Sequence, residues 1–250
     1  MNYPGPSYLL PNVLFGSVAV VAVVLFGLYR ALSRAGLTVR DRRRAFWSVS
    51  ALLVAWFAAA LALSWSGFYQ GTPTRVPTIP FGLFIPIAAG VLLFWRWPML
   101  GRVIDAVPQS WLVGIQVYRV EGLIFLTLYA GGLLPGAFAL PAGIGDAIVG
   151  LLAPVVAIAY ARGSRPALVR AWNLLGLTDL GVAVTTGFLT SPSPVQSLAL
   201  DRPNELISAF PLALIPVFLV PLSVLLHLAS LQKLRQTEHE RRNLEPVLAS

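Results

Sequence analysis

The chain has 250 residues, of which 57% are hydrophobic and only 11% are charged, and its mean hydropathy is +0.76. Because a soluble domain carries roughly 25% charged residues, this composition excludes an ordinary globular enzyme, a disordered chain and a coiled coil. The sequence contains no cysteine, which excludes disulfides, iron–sulfur clusters and thiolate metal sites.

Seven apolar segments follow one another along the chain, and each is long enough to cross a membrane. A membrane helix needs about 20 mostly apolar residues to span a hydrocarbon core roughly 30 Å thick. In lipid, the backbone N–H and C=O groups must hydrogen-bond within the protein, so a chain crosses the membrane either as helices or as a closed β-barrel. The alternation of apolar and polar residues that is typical of barrel strands is missing here. The sequence therefore predicts an all-α integral membrane fold, a seven-helix bundle over residues 11–31, 46–66, 80–97, 110–130, 141–160, 167–189 and 206–231. It further predicts one domain over residues 1–235 and a short polar cytoplasmic tail over 236–250.

The net charge of +8 is concentrated in alternate loops. By the positive-inside rule, such a bias marks the cytoplasmic side, so we predict an outside N-terminus and a cytoplasmic C-terminus. We expect the basic side to contact anionic lipid headgroups and not nucleic acid. The chain is expected in a bacterial inner (plasma) membrane as a multi-pass protein, and its oligomeric state stays open. Fifteen of the 18 basic residues would share the cytoplasmic side, namely Arg30, Arg34, Arg40, Arg42, Arg43, Arg44, Arg96, Arg102, Arg162, Arg165, Arg170, Lys233, Arg235, Arg241 and Arg242.

The ionisable residues inside the predicted spans lie in the last four of them. A charge near the centre of a membrane helix costs about 2.5–3.5 kcal/mol on insertion scales, so these groups must be paired, hydrated or protonated. The candidate binding or coupling residues are Arg119, Glu121, Asp146, Asp179 and His227, together with the polar residues Gln116 and Asn173 beside them.

Helix geometry restricts how these charges pair. At about 100° per residue, Arg119 and Glu121 lie about 200° apart, on nearly opposite faces of the fourth helix, so each needs a partner on another helix. Arg119 and Asp179 fall at similar depth near the midplane, and we predict an ion pair between them. In the alternative interpretation, this ion pair has no functional role and only fixes the register of the helices.

Asp146 lies on a helix face made of small residues, which include Gly143 and Gly150. Such a stripe lets two helix backbones approach closely. We therefore expect the Asp146 carboxyl to be held against a neighbouring helix with little water, and to exchange a proton as a coupling residue or a catalytic acid. In the alternative interpretation, Asp146 only hydrogen-bonds a helix end near the outer interface.

The last predicted span carries His227, with Ser223 and Ser230 one turn away on either side. We expect this histidine near the cytoplasmic end of its helix, where the helix dipole favours it. Pro211, Pro216 and Pro221 are predicted to kink the same helix, as in the broken helices of transporters.

The GIGD sequence at 143–146 resembles the GxGD signature of intramembrane aspartyl proteases and prepilin peptidases. In those families two membrane aspartates share a proton and activate water. The resemblance covers four residues, and it implies Asp146 and Asp179 as a catalytic pair. In the family pattern the partner aspartate precedes GxGD, whereas Asp179 follows it and the preceding Asp105 lies at a cytoplasmic edge.

Three classes of function remain. We favour a small-solute or proton-coupled transporter, with a small molecule or proton as its partner and no enzymatic activity. The alternatives are a membrane-embedded aspartyl peptidase and a structural or assembly protein without a transport path. The sequence has no His, Asp and Glu spacing typical of a metal site, and we expect neither a metal nor a cofactor.

Overall fold

A computed structural model describes residues 5–163 and 165–248, with side chains up to residue 238. The described residues form helices and no β-strand. The helices are α1 (Leu9–Arg34), α2 (Val39–Trp65), α3 (Ile79–Arg96), α4 (Pro98–Ala106), α5 (Gln109–Gly114), a 3₁₀ segment (Ile115–Gly122), α6 (Leu123–Ala130), α7 (Gly136–Gly163), α8 (Pro166–Thr190), a 3₁₀ turn (Leu206–Ser208), a π segment (Ile215–Leu219) and α9 (Val220–Leu248).

Seven helical segments of the described chain are long and apolar enough to cross a membrane, which confirms the all-α fold with seven apolar helices. The third is the most exposed, whereas the fourth, fifth and seventh are the most buried and form the inside of the bundle. Spans 1 to 7 are Leu9–Arg34, Val39–Trp65, Ile79–Arg96, Gln109–Ala130, Gly136–Gly163, Pro166–Thr190 and Ile215–Glu238.

Local sequence explains where several spans begin. Thr38 caps α2, because its hydroxyl oxygen accepts a hydrogen bond from the backbone N–H of Asp41 at 3.1 Å. Pro80 and Pro166 occupy the first turns of α3 and α8, where a missing N–H leaves no bond unmade.

The start of span 7 differs from the prediction. The helix begins at Ile215 and not at Leu206, and residues 209–213 form a bend and turns. Pro211 has no N–H to donate to a preceding turn, and Pro216 stands in the first turn of the helix, where a missing N–H leaves no bond unmade. At the other end, residues 236–248 of the predicted polar tail continue α9 as helix, and 249–250 lie outside the described residues.

The two ends of the bundle are defined by contacts between loops and helix ends. At one end, Asn204 N–H donates to the carbonyl oxygen of Thr190 at 2.8 Å. At the other end, Lys233 Nζ donates to the carbonyl oxygen of Ile104 at 3.3 Å, and Arg170 contacts Glu238 at 2.6 Å. We call the first end, which carries the N-terminus, the N-terminal side, and the second the C-terminal side.

Span 5 lies at the centre of the packing. It contacts all three parts of span 4 and, on another face, span 6. Small residues on α7 permit the close approach: a Cβ on Gly150 would come within 2.7 Å of the backbone nitrogen of Val120. This confirms the predicted helix contact along the Gly143–Gly150 face.

Candidate functional site

The polar centre of the bundle is built around the buried guanidinium of Arg119. Its Nε donates to Asp146 Oδ1 at 2.8 Å, and its Nη2 lies 2.7 Å from the same oxygen and also bonds Asp179 Oδ2. Its Nη1 donates to the carbonyl oxygen of Gly176 at 3.3 Å and to Nε2 of His227 at 3.2 Å. The predicted Arg119–Asp179 pair is confirmed, and Asp146 joins it. We call Arg119, Asp146 and Asp179 the ion cluster.

The ion cluster has two carboxylates for one guanidinium. Each carboxylate reaches Arg119 through a single oxygen, and no donor from the described residues bonds Asp146 Oδ2 or Asp179 Oδ1. With both acids ionised, the cluster holds one surplus negative charge inside the bundle, which is costly in low dielectric. The arrangement therefore favours the binding of one further positive charge.

A chain of hydrogen bonds leads from the ion cluster toward the C-terminal side. Because arginine only donates, His227 Nε2 accepts, and Nδ1–H donates to Asn173 Oδ1 at 2.9 Å. Asn173 Nδ2 donates to Ser230 Oγ at 2.9 Å, and Gln109 Nε2 donates to the same oxygen at 2.6 Å. His227, Asn173, Ser230 and Gln109, which we call the polar chain, are all buried. They link the ion cluster to the first residue of α5.

The position of His227 corrects the expectation that it lies near a helix end. Since α9 continues to Leu248, the histidine is in the first third of this helix, is fully buried, and packs against the Trp172 ring with centroids 4.9 Å apart. The hydrogen bonds with Arg119 and Asn173, and not the helix dipole, fix its orientation.

Three glycines make room for the charged side chains. A Cβ on Gly122 would overlap Asp146, one on Gly145 would overlap the Asp179 carboxyl, and one on Gly176 would overlap the His227 ring. Each glycine lies on a different span from the side chain that it accommodates. The cluster therefore depends on small residues of spans 4, 5 and 6 as much as on its charges.

The angular position of Glu121 differs from the prediction. Residues Ile115–Gly122 form a 3₁₀ helix, in which successive residues turn about 120°, so Arg119 and Glu121 are about 120° apart rather than nearly opposite. Arg119 points to spans 5, 6 and 7, while the Glu121 carboxyl faces span 1, where a Cβ on Gly16 would overlap it. Its Oε1 is buried without a hydrogen-bond partner among the described residues. The structure thus leaves Glu121 outside the ion cluster.

Gln116 also lies outside the ion cluster but close to span 7. Its Nε2 donates to the carbonyl oxygen of Ser223 at 3.2 Å, and the Tyr118 hydroxyl is 2.6 Å from Ser223 Oγ. These bonds join the 3₁₀ segment to the first turns of α9.

A cavity of about 460 Å³ adjoins the ion cluster and is lined by spans 3 to 7. Its walls are mostly apolar, and Asp146 is the one charged residue among the described residues that line it. It extends toward the loops of the N-terminal side, since Pro77, Ser191 and Ile207 also contribute to its lining. Asp146 therefore belongs both to the ion cluster and to the cavity wall.

The GIGD segment does not form the pair that its resemblance implies. Arg119 Nη2 contacts both Asp146 and Asp179, so a cation stands where a catalytic dyad would share a proton. Among the described residues, no group of three His, Cys, Asp or Glu side chains could hold a metal ion.

Sequence reasoning missed Gln109 and Tyr118 as parts of this site. Gln109 precedes the predicted start of span 4, and tyrosine is common near membrane interfaces, so neither attracts attention by composition alone. A signal was present in the polar residues that recur at one-turn spacing along the last helix, Ser223, His227 and Ser230, since buried polar groups need partners on a neighbouring helix.

The packing around Gly176 gives a testable prediction. Gly176→Ala should destabilise the folded protein by about 1–3 kcal/mol, because the added methyl group pushes the His227 ring and the Arg119 guanidinium away from their hydrogen-bond partners. Gly181→Ala on the same helix is the matched control, because its Cβ would meet nothing within 4 Å. Thermal unfolding of both variants in detergent measures the difference, and equal unfolding temperatures would contradict the assigned packing.

The chain belongs to the family described as a domain of unknown function (DUF8737), whose model matches residues 76–235. No curated protein and no solved structure matches the chain. The matched region contains the ion cluster, the polar chain and the residues that line the cavity. Spans 1 and 2, including the Gly16 that faces Glu121, lie outside it.

Proposed function

We propose that this member of the family is a proton-coupled transporter of a small solute. The observation that carries the proposal is the double role of Asp146, which is bonded to Arg119 in the ion cluster and lines the apolar cavity. A carboxyl in this position responds to a solute bound in the cavity and also to the charge of the ion cluster. A group shared in this way can couple the binding of a solute to the binding of a proton.

The charge balance of the ion cluster supports the proton as coupling ion. One of its two acids lacks a cationic partner of its own, and a proton neutralises it without an added ligand. Protonation would weaken one of the bonds to Arg119, which also holds spans 6 and 7 through Gly176 and His227. A local change of charge would then alter how three spans are joined.

Transport also requires a second conformation that opens to the C-terminal side. The polar chain runs in that direction and is closed by buried side chains. The 3₁₀ segment interrupts the α-helix of span 4 between α5 and α6, and the π segment forms the irregular start of span 7 before α9. Such interruptions are frequent at hinges and functional sites, so these two segments are the proposed moving parts.

The proposal includes an outside N-terminus, a cytoplasmic C-terminus in contact with anionic lipid headgroups, and a bacterial inner membrane. The distribution of arginines supports this orientation. A reporter fused after Ser250 should be active in the cytoplasm, and one inserted between Ser191 and Pro203 should be active outside. Activity of both reporters in the same compartment would refute this orientation.

Single cysteines in this cysteine-free chain test alternating access. Ala183 lines the cavity, whereas Val113 is fully buried on α5, one turn from Gln109. We expect an impermeant maleimide to label Ala183→Cys from the N-terminal side and Val113→Cys from the C-terminal side of sealed vesicles. A change between acidic and alkaline buffer should raise one reactivity and lower the other.

The unsubstituted chain, which has no thiol, is the control for background labelling. If both reactivities only rise together with the thiolate fraction as the pH increases, or if Val113→Cys never reacts, the bundle is static. The ion cluster would then only hold helices together, and transport would be excluded.

A further inference from the structure

The walls of the cavity restrict the class of solute. Phenylalanine rings line it on spans 3, 4, 5 and 6, and aliphatic side chains fill most of the remaining wall. An apolar wall of this size holds a compact organic body, and aromatic faces also attract a cation. The rings are those of Phe84, Phe125, Phe138 and Phe188.

The charges at the inner end of the cavity restrict it further. Every nitrogen of the Arg119 guanidinium already has an acceptor, so the natural receptor for an anion is occupied. Asp146 Oδ2, in contrast, accepts no bond from the described residues. An anion would add to the surplus negative charge, whereas a monovalent cation would balance it.

We propose that the solute is a monovalent organic cation with an apolar body, bound in this cavity against Asp146. This inference rests on the proposed function and names its substrate class. The cation and a proton neutralise the same surplus charge, so they exclude each other. Arrival of one cation releases one proton, and the transport reaction is an exchange of the two across the membrane.

Tetraphenylphosphonium is a suitable probe, because tetraphenylborate has the same shape with the opposite charge. We expect the purified protein in detergent to bind tetraphenylphosphonium by equilibrium dialysis, with release of about one proton per bound cation in weakly buffered solution. Tetraphenylborate should bind no better to the protein than to empty micelles. Equal binding of the two ions would show that charge plays no part and would overturn the proposal.

Two variants test the location of the site. Asp146→Asn should weaken tetraphenylphosphonium binding by about tenfold or more and abolish proton release, and Asp105→Asn, on the C-terminal side, should change neither. Ala183→Trp fills the cavity and keeps every charge of the ion cluster, and it should abolish binding in a protein that stays monodisperse. Unchanged binding in both Asp146→Asn and Ala183→Trp would overturn the assignment.

The outcomes separate this inference from the proposed function. If the cation fails to bind while the reactivities of Ala183→Cys and Val113→Cys still reverse with pH, the substrate class is wrong and transport stands. If the cation binds with proton release but the reactivities never reverse, transport is excluded. The cavity is then a receptor site for the same class of cation.

Discussion

Arg119→Ala is expected to lower the stability of the folded protein by about 3–5 kcal/mol, the range found when one partner of a buried ion pair is removed. The loss should be large because it leaves two buried acids, Asp146 and Asp179, without a cation. It also removes the donor to His227 Nε2. Thermal unfolding in detergent is the measurement.

Arg170→Ala is the matched control for this prediction. Arg170 also contacts an acid, Glu238, but it does so on the exposed surface of the C-terminal side, where removing an ion pair costs at most about 1 kcal/mol.

Neutralising the acids should recover part of the loss in a defined order. Arg119→Gln with Asp179→Asn still leaves one unpaired acid, so the triple variant with Asp146→Asn as well should be more stable than that double variant. Strictly additive effects of the three substitutions would contradict the ion cluster.

Asp146→Asn is expected to fold and insert normally and to lose the pH dependence of Ala183→Cys reactivity beyond that of the thiolate fraction itself. Arg119 and Asp179 remain as a balanced pair, so the bundle keeps its central bond while the surplus carboxyl is gone. Glu121→Gln is the isosteric comparison in the same part of the membrane, and it should keep the pH dependence, because Glu121 lies outside the ion cluster. If only Glu121→Gln lost this pH dependence, the exchanged proton would be assigned to Glu121 and not to Asp146.

The number of spans could be predicted from hydropathy, since a segment's length and composition decide whether it can cross a membrane. The start of span 7 could not, because residues 206–214 are as apolar as a membrane helix although most of them form a 3₁₀ turn, a bend and turns around Pro211. Hydropathy indicates whether side chains favour an apolar environment, but it does not indicate which backbone hydrogen bonds a segment can form.

The ion cluster could be predicted only in part. Depth along the helices was enough to pair Arg119 with Asp179, because depth follows from counting residues. The second bond, to Asp146, depends on the 3₁₀ geometry of Ile115–Gly122 and on the close approach of span 5 at Gly122. Angular position changes by about 20° per residue between the α and 3₁₀ forms, and this difference decides which face a charge occupies.

An infrared difference spectrum between acidic and alkaline buffer tests directly whether the surplus carboxyl of the ion cluster exchanges a proton. The protein in lipid should show the carbonyl band of a protonated carboxylic acid that appears as the buffer is made acidic. We expect this band to be lost in Asp146→Asn and kept in Glu121→Gln and Asp105→Asn. A band of unchanged intensity in Asp146→Asn would contradict this expectation.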